Sequence, residues 1–265
     1  MRSAHVDAHT EVEAVDFLKL FLGACTVLAA TSLGAAGVFA FKRIDKHAFA
    51  LIVAFCGGVM AFSALEMFNE AHVMAGDVVA LSAVLIGTVS FLAIDKLLPH
   101  AHLALVGATL HDSKRKVALY VGTITIHNIP EGFAVASAFA GAAAVGGSPA
   151  LGWLVTMSIA LQDVPEGLIV SAPVAGYGVA TKHSFAWGVF SGLVEFGAAI
   201  LGFLFLSVVS PCTPWALGFS AGAMTYVVLS ELLPDAMQAE NRLVALGASI
   251  VGFAAAFGFG ALIGF

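Results

Sequence analysis

Long apolar runs separated by short polar stretches dominate the 265-residue chain. A helix needs roughly 20 mainly apolar residues to cross about 30 Å of hydrocarbon, and runs of that length recur from residue 17 onward. The pattern predicts eight transmembrane helices, at about 17–41, 48–70, 78–97, 117–140, 150–173, 184–208, 213–235 and 243–265. The expected fold is all-α, a polytopic membrane helix bundle, with one transmembrane domain over residues 1–265. Residues 1–16 contain Asp7, Glu11, Glu13 and Asp16 and no apolar core. They read as a short extracytoplasmic N-terminal tail, not as a cleaved signal peptide.

Composition excludes a soluble domain, since 60% of the residues are hydrophobic and 11% charged. Charge placement then orients the bundle. Alternate loops put Lys42, Arg43, Lys46, Lys96, Lys114, Arg115, Lys116, Lys182 and Arg242 on one face and only Arg2 and Lys19 on the other. By the positive-inside rule the first face is cytoplasmic, so both termini are extracytoplasmic and the protein belongs in the cell (inner or plasma) membrane. The expected surroundings are a lipid bilayer, with no nucleic acid. Cys25 and Cys56 fall in apolar runs and Cys212 in a Pro-rich loop, where they read as packing residues. Gly188-x-x-x-Gly192 and Gly218-x-x-x-Gly222 allow close helix approach. Packing within the bundle is the favoured use, and a homodimer contact is the alternative.

Two related segments interrupt this apolar background: His127-Asn128-Ile129-Pro130-Glu131-Gly132 in the fourth span and Gln162-Asp163-Val164-Pro165-Glu166-Gly167 in the fifth. Each proline lacks an N–H, so the carbonyl of Ile126 or Leu161 loses its helical partner, and both spans are expected to be kinked. Residues four apart share a helix face. His127 with Glu131, and Gln162 with Glu166, therefore point the same way at mid-bilayer depth, while Asn128 and Asp163 point about 100° further round. Glu195 falls near the middle of the sixth span.

Ionisable residues at this depth cost roughly 3 kcal/mol each and mark a ligand site or pathway. Between residues 117 and 241 the only Lys or Arg is Lys182, in a loop. No basic side chain can neutralise the four carboxylates, so cations from solution or protons must do so. An imidazole beside an amide and carboxylates suits divalent transition metals better than calcium or magnesium.

These residues resemble the ZIP (Zrt-, Irt-like) family of divalent metal transporters, in particular its GufA-type prokaryotic branch. The family's fourth span carries His-Asn-x-Pro-Glu-Gly and its fifth a related Pro-Glu motif. The resemblance implies two metal positions side by side. His127, Glu131, Gln162 and Glu166, with Met60 as a soft ligand, match the first; Asn128, Asp163 and Glu195, with Glu131 and Glu166 shared, match the second. It also implies an exit segment at Asp95, His100 and His102, joined by Glu231 of the seventh span. On the outer side Glu70 reads first as a solvated loop charge, with collection of cations at the entrance as the alternative. Many members carry His before the seventh-span Glu, where this chain has Ser230.

The implied function is uptake of Zn²⁺, with iron, manganese, cobalt and cadmium as further candidates, into the cytoplasm as transported substrate and without a prosthetic group. A metal-selective channel is the alternative. An intramembrane zinc hydrolase is a weaker one, since the chain has no His-Glu-x-x-His pair, and the chain is not expected to be an enzyme.

Overall fold

The computed structural model describes residues 2–41, 44–97, 113–143 and 150–262, and side chains of residues 2–16 are not among those described. The described regular structure is helical throughout. Its helices are α1 (Arg2–Ala36), α2 (Lys46–Leu97), α3 (Ser113–Ala143), α4 (Leu151–Gly176), α5 (Thr181–Val208), α6 (Thr213–Val227), α7 (Leu233–Ala236) and α8 (Arg242–Leu262). Helix α1 begins at Arg2, well before the apolar run at residue 17. The acidic stretch holds three Ala and two Glu and no Gly or Pro, so local propensity lets the helix continue N-terminally.

The 52 residues of α2 cover the second and third expected spans together. A straight helix of that length would extend roughly 78 Å, far more than a bilayer needs. Gly76, with φ 79° and ψ 174°, interrupts it. Only glycine takes that backbone conformation without a Cβ penalty. The contacts along α6 show that α2 doubles back there. Gly218 packs on Ala83, Thr88 Oγ1 donates to Gly222 O at 3.1 Å, and Tyr226 reaches Asp95, so α6 runs parallel to the second arm. A Cβ on Gly57 would nevertheless lie 3.4 Å from Leu232 Cβ, less than two turns beyond Tyr226. A straight α2 would hold Gly57 and Asp95 roughly 57 Å apart. At the start of α2, the Ala48 backbone N–H donates to Asp45 Oδ2 at 3.2 Å and holds that exposed carboxyl below its ordinary range.

Helices α1, α3, α4 and α5 pack on one another, and α2 packs with α6 and α8, its first arm meeting α8 at Gly58 and Gly252 and its second arm meeting α6 at Gly218 and Gly222. The seam between these groups is formed by α3 and α4 against α6 and α2. Large apolar side chains such as Leu33, Val78, Leu85, Leu201, Leu243 and Phe257 cover the outside, each more than half exposed. Such a surface is stable against lipid and would be a liability in water. Among the described residues six helices are long and apolar enough to cross a membrane, α2 counted once. Helix α3, at 31 residues, has the length but carries the polar repeat.

Candidate metal centre

The two repeats lie on α3 and α4, which pack together. Pro130 and Pro165 are both inside those helices. Each repeat ends in a glycine, and the glycines bring in the remaining helices. A Cβ on Gly132 would sit 2.1 Å from the Glu195 carbonyl oxygen, and one on Gly167 would sit 2.1 Å from that of Thr31. Thus α5 docks on α3 at Glu195, and α1 docks on α4 at Thr31. The segment that breaks backbone bonding also provides the bare surface that admits a third carboxylate-bearing helix.

Glu131, Asp163 and Glu166 each offer an oxygen, and these atoms all lie within 4.8 Å of one another. Gln162 Nε2 donates to Glu131 Oε1. Glu195 lies close enough to Asp163, Glu131 and Glu166 to feel their charge. Asn128, Glu131, Asp163 and Glu195 are each 1% exposed and Gln162 is fully buried. Glu131 Oε2, Gln162 Oε1 and both carboxylate oxygens of Asp163 and of Glu195 are buried without a hydrogen-bond partner among the described residues. Thr31 lies beside Asp163, but its one hydroxyl proton goes to Val27 O at 3.0 Å. Buried oxygens are ordinarily satisfied. Several unsatisfied carboxylate oxygens facing one small space have the chemistry of a divalent-cation cage, with all-oxygen donors on this side.

His127 turns towards a different partner. Its Nε2 is 2.8 Å from Glu231 Oε1, although the ring also interacts electrostatically with Glu166. Glu231 belongs to a π-helical stretch, Val228–Leu232, in which the Leu233 N–H bonds back to Val228 O. Pro234 explains the stretch, because its ring excludes the carbonyl of Ser230 from the normal helical position. His127 therefore links the carboxylate cluster to Glu231 across the seam.

Met60 is 3% exposed in the main core, which also contains Met67, Val135 and Met224. Cys56, one turn earlier on α2, was not expected near the centre. Its Sγ lies 3.6 Å from Gln162 O, and the thiol feels the charges of Glu166, Glu131 and Asp163. The signal for it was the four-residue spacing from Met60, which puts both on one face. Asp95 accepts a hydrogen bond from Tyr226, another residue that no sequence pattern singled out. His100 and His102 lie outside the described residues. Glu70 is 6% exposed, and His72 Nδ1 pairs with Asp77 Oδ1 at 2.8 Å around the Gly76 turn.

The family model described as ZIP Zinc transporter matches residues 106–260, more than half of the chain. The zinc transporter ZIPB of Bordetella bronchiseptica is 31% identical over 245 residues, covering 88% of this chain and 77% of the relative. The chain belongs to the ZIP family. Two further ZIP relatives match over a shorter stretch. The zinc transporter ZIP11 of Homo sapiens is 39% identical over 143 residues, 53% of this chain and 42% of the relative. The zinc transporter GufA of Myxococcus xanthus is 33% identical over 141 residues, 52% of this chain and 53% of the relative. The chain thus matches about half or less of the length of several relatives. These ZIP relatives carry the names of transporters and not of enzymes.

Proposed function

We propose that this ZIP protein moves Zn²⁺, with iron, manganese, cobalt and cadmium as further substrates, from outside into the cytoplasm through a binuclear site in mid-membrane. The observation that carries the reading is the set of buried Glu131 and Asp163 and half-buried Glu166, three carboxylates whose oxygens lie within 4.8 Å of one another. Between residues 117 and 241 the only Lys or Arg the sequence offers them is Lys182, in a loop. Glu131 and Glu166 are shared between two ions, Gln162 and His127 complete one position, and Asn128, Asp163 and Glu195 complete the other. Met60 is a further soft donor to the first.

Eight crossings follow when the two arms of α2 are counted separately, α3 is included, and α6 with its π stretch and α7 forms one crossing. Both termini then lie outside, and the basic loops face the cytoplasm. Residues 1–16 are the extracytoplasmic approach to the first crossing. The cell membrane is the proposed location, and a homodimer contact through exposed helix faces is compatible with the bundle.

Each ion exchanges hydration for carboxylate and imidazole coordination, then passes by His127 and Glu231 towards Asp95, His100 and His102; Glu70 serves the entrance. Protonation of the ligands competes with the metal, which gives a natural means of release. In liposomes the purified chain should take up zinc saturably, and His127→Ala or Glu166→Ala should abolish uptake. Wild-type uptake that persisted in both variants would overturn the site assignment, and uptake linear to high zinc would favour a channel.

A further inference from the structure

We propose that Tyr226 is a positioning residue for ion release, whose hydroxyl holds Asp95 and exchanges places with a passing cation. The inference rests on the transport reading above. The Tyr226 hydroxyl donates to Asp95 Oδ2 over 2.5 Å, joining α6 to the second arm of α2. Its backbone lies two residues ahead of the π stretch, from which Ser230 Oγ donates to Tyr226 O at 2.7 Å. The ring lies close enough to Glu231 to interact with its charge. Glu231 meets His127 at 2.8 Å, and His127 interacts with Glu166 of the cluster.

A series of neighbours therefore runs from Glu166 through His127, Glu231 and Tyr226 to Asp95, joined by direct contact at His127–Glu231 and Tyr226–Asp95 and by charge alone at the other two steps. Its carboxylates and imidazole are common donors to divalent transition metals. The neutral phenol is the exception, and its position explains its use. A partly buried carboxylate needs a donor when no ion is present, and an O–H to a carboxylate is among the stronger hydrogen bonds. A divalent ion leaving Glu231 can displace that proton donor from Asp95, and the returning hydroxyl then displaces the ion. The phenol keeps Asp95 oriented while the ion is absent and shortens the ion's stay when it arrives.

The test is zinc uptake by the full chain in liposomes, measured against zinc concentration for wild type, Tyr226→Phe, Asp95→Asn and the double variant. Tyr226→Phe should lower both the half-saturating zinc concentration and the maximal rate, each by about tenfold, the size of one hydrogen bond to a charged group. In the Asp95→Asn background the same change should alter neither. Tyr226→Phe kinetics equal to wild type would overturn the proposal, as would the full shift persisting with Asn at 95. A Tyr226→Phe chain unable to reach the bilayer intact would also overturn it, because a positioning role requires that loss of one hydroxyl spare the fold. An inert wild type would instead sink the transport reading itself.

Discussion

At the scale of single residues, the centre is defined by what its oxygens lack. Among the described residues, Glu131 Oε2 and both oxygens of Asp163 and Glu195 are buried without a hydrogen bond, and a folded protein does not keep such groups ionised without a compensating charge. Glu131 and Glu166 bear most on the outcome, because both proposed ion positions use them. Either changed to Gln should weaken zinc binding by more than the roughly 10–100-fold typical of an outer-shell partner, as read by equilibrium titration. Cys56→Ser, by contrast, should keep zinc transport and reduce preference for cadmium if the thiol touches the passing ion. A competition assay between the two metals measures this. The cluster itself was legible in the sequence, since four carboxylates stand out in apolar spans that carry no Lys or Arg. The contact of His127 with Glu231 was not legible, because it depends on how α3 meets a π stretch one hundred residues later in the chain.

At the scale of elements, the repeated Pro-Glu-Gly does two jobs with one tripeptide. Proline opens the backbone bonding, and glycine admits the neighbouring helix at Glu195 or Thr31. Gly132→Ala should therefore act on both stability and site. Its Cβ would lie 2.1 Å from backbone, not from a side chain that can swing away. Overpacking of this kind costs about 1–3 kcal/mol, visible as a lower melting temperature in detergent. Zinc affinity should fall with it as α5 carries Glu195 outward, and an unchanged affinity would separate Glu195 from the site. Apolar run lengths placed most helices close to their observed ranges. They separated the second and third spans correctly but could not show that helix reaches a single residue, Gly76, from both sides, because Ala75-Gly76-Asp77 looks like any short loop.

At the scale of the whole molecule, the carboxylates come from α3, α4 and α5, while Cys56, Asp95 and Glu231 come from α2 and the segment after α6. The centre thus lies where the two packed groups of helices meet. Orientation is a property at this scale, and the basic loops argue for it. With the native cysteines replaced, a cysteine at Lys182 should react with an impermeant thiol reagent only from the cytoplasmic side. Labelling from outside would invert the proposed topology and the direction of transport. The central claim, that two ions share Glu131 and Glu166, is tested most directly by counting tightly bound zinc on the purified chain. Wild type should hold two ions per chain, and Glu131→Gln should lose both together. Retention of wild-type stoichiometry and affinity by that variant would contradict the account.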